Sequence, residues 1–254
     1  MIEQKALAYV NMYGVLGSLE KLCEIDETAI KELKKLKKPV ALCFDVSDGP
    51  CCTFTFSENG CKMTEGSVGC TAKMNFGSPE KFNELIDNSK PGLPAKNPVG
   101  TIAFLLGTFT KLTNRLNELL RPTEDALKDR AFFEENTLMT MYVIGGAVAA
   151  LANNDSIAKI SASYTPDGDV QMNIPERATI TVRVKDGKFT AIKGATANPR
   201  AVMEFADIDL AYGLFNGKVS TINEMCKGNI RLSGMISMID NINRILDRVS
   251  VYLA

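Results

Sequence analysis

Apolar side chains recur at helical spacing near the end of the chain, and polar side chains take the opposite face. Intervals of three, four and seven residues are typical of an amphipathic α-helix with one buried face. A strand-like stretch, Asn229–Gly234, comes directly before this helix. The pattern predicts a closing helix that covers either an ordinary core or a bound guest. Its apolar face comprises Met235, Met238, Ile239, Ile242, Ile245, Leu246 and Val249.

The first half of the chain places two helices before four strands and two helices after them. Ser78 and Pro79 are typical of a helix start, and the Pro/Gly-rich stretch Lys90–Gly100 breaks the chain before the last helix. The predicted helices are Lys5–Cys23, Asp26–Lys37, a helix from Pro79, and Ile102–Leu120. The predicted strands are Val40–Ser47, Cys51–Phe56, Cys61–Glu65 and Cys70–Phe76.

The second half repeats this order. A long helix is predicted over Glu124–Leu151, and Asp207 is expected to cap a helix that ends at Phe215. The hairpin signal Asp186-Gly187 joins two of the predicted strands. Those strands are Ile157–Tyr164, Val170–Ile174, Ala178–Val184, Lys188–Lys193 and Ala201–Ala206.

Identical residues in the two halves keep one offset of 129 positions across three separated blocks. Chance identities would not hold a single offset over such distances, so the chain is predicted to be two tandem copies of one α+β domain, residues 1–122 and 123–254. The matching pairs are Met12/Met141, Tyr13/Tyr142, Gly17/Gly146, Leu22/Leu151, Ala72/Ala201, Met74/Met203, Phe76/Phe205, Leu85/Leu214, Asn114/Asn243 and Arg115/Arg244.

Composition narrows the class of protein. Of 254 residues, 45% are hydrophobic and 23% charged, and the net charge is −1. These values indicate a globular chain without a general affinity for nucleic acid or anionic membrane. The most apolar stretch, Asn136–Ala152, is at the short limit for a membrane span, and its counterpart in the first copy contains Glu20 and Lys21. We therefore expect both to be buried helices.

Seven cysteines, an odd number without paired spacing, predict free thiols and a cytoplasmic location. Cys51 and Cys52 could supply a nucleophile, but the chain has no histidine to act as their usual base. Ser18 to Lys21 matches S-x-x-K, yet the second copy has alanine at both positions. Gly213 to Val219 is one residue short of a phosphate-binding loop and lacks its Ser/Thr. No catalytic residue, cofactor or metal ligand is predicted.

Methionine is unusually frequent in the second copy. Its flexible thioether suits surfaces that must fit varied apolar partners, although any single methionine is also ordinary core. The set therefore leaves two alternatives open, a solid core and an apolar tunnel. The methionines are Met139, Met141, Met172, Met203, Met225, Met235 and Met238.

Two segments carry a family resemblance. They are TITVRVKDGKFTAIKGATANPRAVMEFADIDLAYGLFNGK (Thr179–Lys218) and KGNIRLSG (Lys227–Gly234). With helices first, a meander of about four strands and a glycine-flanked fifth strand before the last helix, the chain resembles a duplicated sterol carrier protein-2-like lipid-binding domain. The first copy matches through Ser57–Asn88 and then departs, since Gly217-Lys218 has no counterpart there.

The resemblance implies five-stranded, mainly antiparallel sheets covered by helices, each with an apolar tunnel closed by its last helix. It implies binding or carriage of a fatty acid, sterol or other lipid. The expected lining of the second copy is Met203, Phe205, Leu210, Leu214, Met235, Met238, Ile242 and Leu246. In the first copy the corresponding set is Met74, Phe76, Phe82, Leu85, Phe109, Leu112 and Leu116.

Two other functions stay open at this point. The chain could be a non-catalytic structural or partner-binding protein with filled cores, or an accessory enzyme domain for a lipid-like metabolite that uses Cys51 or Cys52. The expected partner is a hydrophobic small molecule or lipid, without nucleic acid or a transmembrane segment. Transient membrane contact is left open, and contact between the two copies is expected.

Overall fold

A computed structural model describes residues 2–88 and 99–253 of the chain. It divides into two compact units, Met1–Glu124 and Asp125–Ala254, called unit 1 and unit 2 below. Each unit combines one mixed sheet with helices, so the predicted α+β class is confirmed. Residues 90–98 of the predicted break lie outside the described residues.

In unit 1 the first helices precede the strands along the chain and the others follow them, as the periodicity predicts. The predicted helix Lys5–Cys23 is one helical run in which a π-helical segment, Val10–Val15, and a 3-10 turn, Leu16–Ser18, join α1 to α2. A second π-helical segment, Leu105–Phe109, joins α5 to α6. The helices are α1 (Gln4–Tyr9), α2 (Leu19–Ile25), α3 (Glu27–Leu33), α4 (Pro79–Asn88), α5 (Val99–Phe104) and α6 (Thr110–Leu120).

The sheet of unit 1 has four strands within the described residues, in the order β3-β2-β1-β4. They are β1 (Val40–Val46), β2 (Cys51–Ser57), β3 (Gly60–Glu65) and β4 (Ala72–Phe76). Strands β1, β2 and β3 pair antiparallel, whereas β4 lies parallel to β1 on its other side. The fifth strand expected in this copy would fall between α4 and α5, where residues 89–98 are outside the described part of the chain.

Unit 2 contains a complete five-stranded sheet in the order β7-β6-β5-β8-β9. Its strands are β5 (Gly168–Ile174), β6 (Ala178–Lys185), β7 (Lys188–Ile192), β8 (Ala201–Phe205) and β9 (Ile230–Gly234). Its helices are α7 (Arg130–Asn154), α8 (Ala158–Ser163), α9 (Ile208–Phe215), α10 (Thr221–Cys226) and α11 (Ile236–Leu253), with a 3-10 turn at Ala126–Lys128 before α7.

The expected meander of about four strands is wrong in one respect. Strands β5, β6 and β7 do form a meander, but β8 lies on the far side of β5 and runs parallel to it. A parallel neighbour requires a crossover, which the segment between β7 and β8 supplies. Side chains of the sheet hold that segment in place, because Thr181 Oγ1 donates to Gly194 O at 2.7 Å and Gln171 Nε2 donates to Thr196 O at 3.1 Å.

The predicted strand Ile157–Tyr164 is also wrong, since this stretch forms helix α8. The buried Asp155 carboxylate begins the helix by accepting hydrogen bonds from the backbone N–H groups of Ile157 and Ala158, at 3.0 and 2.7 Å. Ile157, Ile160 and Tyr164 are exposed at helical spacing. In unit 1 the matching helix α3 begins at Asp26 in the same way.

Helix α7 carries the most apolar stretch of the sequence, and most of its side chains from Asn136 onward are buried within unit 2. Among the helices of the described residues, none has the length and apolarity needed to cross a membrane. The burial of its side chains within unit 2 confirms the prediction that Asn136–Ala152 forms a buried helix.

Candidate functional site

One face of the unit 2 sheet carries a row of flexible apolar side chains across three neighbouring strands. In the strand register Met172 of β5 lies beside Met203 of β8, and Met203 lies opposite Leu232 of β9. Alternate residues of a strand point to one side of the sheet, so Phe205 and its partner Ile230 share this face. Met172 and Met203 are both buried. The row forms an apolar floor with two thioethers side by side.

Helix α11 packs over this floor. It contacts β8 and β9 of the sheet and also α7 and α8. Met238 and Ile242, one turn apart on its inner face, are fully buried, and Leu246 one turn later is half-buried. The predicted C-terminal helix is therefore present, and most of its predicted apolar face is buried.

The segment from α9 to the start of α11 leaves apolar side chains in solvent. Leu210 and Leu214 lie on the half-exposed side of α9, and Met235 is 36% exposed. Ile222 and Ile236 in the same segment are 73% and 56% exposed. Single exposed apolar residues are ordinary, but several in one short segment are typical of a contact or ligand-entry surface.

The structure places the predicted lining residues of unit 2 at different depths. Met203, Phe205, Met238 and Ile242 are buried, Leu210, Leu214 and Leu246 are half-buried, and Met235 is exposed. Met235 was predicted to lie on the apolar face of the helix, but α11 begins one residue later, at Ile236. The N–H of Met235 instead donates to the carbonyl of Arg200 at 2.8 Å. That these side chains line a ligand site stays a prediction.

The core of unit 1 is built differently, from phenyl rings. Seven rings form one connected cluster in which neighbouring centroids lie 5.1–6.3 Å apart, which is the range of favourable aromatic contacts. Three of them, Phe54, Phe56 and Phe82, have no exposed surface. The cluster comprises Phe44, Phe54, Phe56, Phe76, Phe82, Phe104 and Phe109.

The predicted lining of unit 1 belongs largely to this filled core. Phe76, Phe82 and Phe109 are members of the phenyl cluster. Stiff, mutually packed rings offer a guest less adaptable space than methionines do. The remaining members Met74, Leu112 and Leu116 are buried, and Leu85 is half-buried.

A buried ionic clamp that the sequence patterns did not reveal holds α11 in unit 2. Asp155 has no exposed surface; its carboxylate accepts hydrogen bonds from Arg248 Nη2 at 2.8 Å and Tyr252 Oη at 2.7 Å. Unit 1 has the corresponding pair, in which Arg115 Nε donates to Asp26 Oδ2 at 2.8 Å. Asp26 and Asp155 keep the offset of 129, a signal that could have identified the pair.

This clamp predicts acid sensitivity in unit 2. Burial alone would raise the pKa of Asp155, but hydrogen bonds from Arg248, the Ala158 N–H and Tyr252 outweigh it and lower that pKa to about 2. Because the ordinary value in an unfolded chain is about 3.9, the stabilisation is complete above pH 5 or so and is lost as the pH falls towards 2, by on the order of 2 kcal/mol. Urea unfolding at pH 7 and pH 3 measures it.

Asp155→Asn is the matched control for the pH series, because it removes the titrating group and keeps the side-chain shape. The variant should be less stable at pH 7 and should lose less stability between pH 7 and pH 3 than the wild type does. An equal loss in the two proteins would show that Asp155 does not carry the acid dependence.

The thiols of Cys51 and Cys52 are poor nucleophiles. Burial, with smaller contributions from neighbouring acidic groups, raises the pKa of each to about 12, so both are protonated at neutral pH. The other two motif matches have structural roles. Ser18 Oγ donates to the carbonyl of Val15 at 2.6 Å, and Gly217 ends α9 in a left-handed conformation.

Comparisons with known proteins give matches in fold. No family model matches the sequence, and neither does any curated protein. Among solved structures, the chain is similar to a UbiJ-SCP2 ubiquinone synthesis protein, with 10% identity over 42% of this chain and 95% of that one, at a TM-score of 0.33. It is similar to palmitated SCP2L2 from Aedes aegypti at 16% identity, over 43% of this chain and 91% of that one, at a TM-score of 0.31.

The chain is also similar to a crystal structure of sterol carrier protein 2, with 16% identity over 43% of this chain and 92% of that one, at a TM-score of 0.32. A mutant sec-alkyl sulfatase matches over 83% of this chain and 60% of its own length, at 7% identity and a TM-score of 0.28. Each of the three similarities to SCP2 proteins covers about two fifths of this chain.

Proposed function

We propose that unit 2 binds one hydrophobic small molecule, of the fatty acid, sterol or related lipid class, between α11 and the apolar floor of its sheet. The proposal rests on the adjacent, buried Met172 and Met203 of that floor and on α11, which contacts β8 and contributes the buried Met238. The predicted lining is apolar, and the charged residues Asp240, Arg244 and Asp247 of α11 are exposed.

Methionine supports this function through its conformational freedom. A thioether side chain has three rotatable bonds and no branch, so it can repack around a guest at less cost than valine, isoleucine or phenylalanine. Each methylene of the guest that leaves water contributes about 0.8 kcal/mol. An acyl chain would therefore bind mainly by burial, with little demand for polar recognition.

The half-exposed residues of α9 and the start of α11 support an entry at that end of unit 2. Leu210 and Leu214 of α9, a helix that contacts β8, are half-buried, and Met235 is exposed. A lipid that enters here would cover apolar surface that otherwise stays in water. The function would be carriage or presentation, since the two candidate nucleophiles, Cys51 and Cys52, are protonated at neutral pH.

For unit 1 the alternative of a structural or partner-binding role has its own support. Seven phenylalanines form one connected cluster in the core of unit 1. A core of interlocked rings is rigid and well packed. We accordingly expect one ligand per chain, in unit 2.

The test is a titration of the full-length protein with a fluorescent fatty acid. We expect saturable binding of one molecule per chain, displaced by unlabelled fatty acid. Met235→Glu should weaken binding by about tenfold or more, because the bound chain would remove water from a carboxylate. Met235 is exposed in the free protein, so the substitution should leave the melting temperature nearly unchanged.

Leu106→Glu is the matched control, since Leu106 is an exposed apolar residue of unit 1. It should leave the fatty-acid affinity unchanged. Equal weakening by the two substitutions would point to a non-specific surface effect. Failure of the wild-type protein to bind any fatty acid or sterol probe would overturn the proposal.

A further inference from the structure

The outer face of the unit 1 sheet, opposite the phenyl cluster, carries an unusual group of thiols. Cys43 on β1 and Cys51 on β2 point to this face, together with Thr53, because they alternate with the core residues of their strands. Cys43 is fully buried there although it lies on the side away from the core. Another segment of unit 1 must therefore cover the Cys43 side chain.

The segment between β3 and β4 supplies that cover. Thr53 Oγ1 donates to Gly66 O at 2.7 Å and accepts from the N–H of Val68 at 3.0 Å. The backbone of Gly66 is also tied to Cys51, whose carbonyl accepts its N–H at 2.8 Å. These bonds lay the segment across the outer face and bring the exposed Cys70 close to Thr53, with 3.9 Å between sulfur and hydroxyl.

A single hydroxyl bridges the buried and the exposed sulfur. Cys43 Sγ donates to Ser67 Oγ at 3.2 Å, and the same oxygen lies 3.2 Å from Cys70 Sγ. On the other side of Cys43, Cys51 Sγ is 4.0 Å away. One sulfur open to solvent thus sits above one that solvent cannot reach.

Unit 2 makes the corresponding structure without any thiol. Its crossover segment is held by Thr181 in the way that Thr53 holds the segment in unit 1. Gln171 faces Thr181 across the strands as Cys43 faces Thr53, and Thr179 occupies the position of Cys51. The fold therefore forms with an amide and a hydroxyl at these places. Packing alone does not require cysteine at positions 43 and 51.

We propose that Cys70 is a site of reversible oxidation by hydroperoxides and that Cys43 beneath it resolves the oxidised sulfur as an intramolecular disulfide. This proposal is independent of lipid binding in unit 2. It assigns thiol oxidation to the outer face of unit 1, away from the phenyl cluster of its core.

The Cys70 thiolate attacks one oxygen of the hydroperoxide; an S–O bond forms, the O–O bond breaks, and the alcohol or water leaves after taking a proton. Cys70 is then a sulfenic acid, oxidised by two electrons. The Cys43 sulfur attacks it, the disulfide forms, and the hydroxyl leaves as water with the Cys43 proton. An external dithiol restores both thiols by exchange.

The surroundings favour Cys70 as the sulfur that reacts first. Partial burial would raise the pKa of its thiol, but hydrogen bonds from Ser67, Cys43 and Thr53, with the nearby positive charge of Lys73, outweigh it and lower that pKa. Cys51 is disfavoured in both roles. Its thiol is protonated at neutral pH, and its diagonal position relative to Cys43 is typical of backbone separations near the upper limit for a disulfide.

Metal binding does not explain the cluster. Within residues 2–88 and 99–253, no group of three or more His, Cys, Asp or Glu side chains is arranged to hold a metal ion. The sulfurs contact a serine and a threonine hydroxyl instead.

The experiment exposes the reduced full-length protein to hydrogen peroxide and follows it by intact mass and peptide mapping without reductant. We expect a loss of two hydrogen atoms and a cross-link between the peptides of Cys43 and Cys70, reversed by dithiothreitol. In Cys43→Ser, Cys70 should instead be trapped as a sulfenic acid by a dimedone probe and should proceed to the sulfinic acid. Cys70→Ser should form no cross-link.

Two controls keep the proposal falsifiable. Cys226→Ser removes the exposed cysteine of unit 2, and Cys51→Ser removes the third sulfur of the cluster; neither should change the rate of cross-linking. In the wild type, Cys70 should be oxidised several-fold faster than Cys226. Equal rates at Cys70 and Cys226, or a cross-link that involves Cys51, would overturn the proposal. So would progressive oxidation of wild-type Cys70 without any cross-link.

Discussion

Replacing Arg248 with methionine is expected to destabilise unit 2 by about 3–5 kcal/mol, which is the cost of removing one partner from a buried ion pair. Asp155 has no exposed surface, and Arg248 is its cationic partner at 2.8 Å. Methionine keeps much of the arginine stem and removes the charge, so the carboxylate would stay buried next to Tyr252 without its counter-ion. The loss should be large because the same carboxylate begins α8.

Urea unfolding followed by circular dichroism measures this loss, and hydrogen exchange in the α8 and α11 peptides assigns it to unit 2. Arg244→Met is the matched control, because Arg244 lies one turn earlier on α11 and pairs with Asp240 on the surface. That exposed pair should be worth less than about 1 kcal/mol. Similar losses in the two variants would mean that the buried clamp is not what anchors α11.

Gly234→Ala is expected to destabilise unit 2 by about 2–4 kcal/mol. Gly234 ends β9 with a φ of 81°, in the left-handed region that a side chain disfavours. A Cβ placed there would also collide with the carbonyl oxygen of Arg200, which accepts the N–H of Met235 at 2.8 Å. Backbone cannot yield as a flexible side chain can, so the strain would fall on the junction between β9 and α11.

Gly228→Ala separates the two causes, and the same unfolding experiment measures it. Gly228 has a φ of 78°, but a Cβ there would meet no atom within 4 Å. Its replacement should cost only the conformational penalty, about 1 kcal/mol. If Gly234→Ala were no more destabilising than Gly228→Ala, the close approach of β9 to Arg200 would not matter for stability.

Much of the fold could be predicted from local sequence patterns. Apolar alternation identified the strands of the hairpins, and turn signals such as Asp186-Gly187 fixed where they end. The 129-residue repeat predicted that the two halves share one plan. Strand alternation and turn signals depend on neighbouring residues, which is why a sequence reveals them.

The errors arose where distant residues decide local structure. Apolar residues at Ile157–Tyr164 were consistent with a strand, but Asp155 caps a helix there, and the distant Arg248 of α11 holds that carboxylate in place. The repeat also aligned Arg115 with Arg244, whereas the residue that performs its role in unit 2 is Arg248, one turn later. A shift of one turn is invisible to an alignment by identity.

The sequence predicted which residues of α11 face inward, but not how deeply each residue of the candidate site is buried. Helical spacing correctly predicted that Met238 and Ile242 are buried. Spacing could not show that Met235 would stay in solvent, or that the phenyl rings of unit 1 would pack into one cluster around Phe44 and Phe56. Both results depend on the register of strands and on how a helix is placed above them, which are tertiary features.

Native mass spectrometry of the full-length protein, purified without detergent or organic solvent, tests the central claim most directly. We expect a species with the mass of one chain plus one hydrophobic molecule, which organic extraction would release for identification. Added fatty acid should restore that species after extraction, and it should do so less well for Met235→Glu than for Leu106→Glu. A chain that is purified empty and takes up neither fatty acid nor sterol would contradict the account.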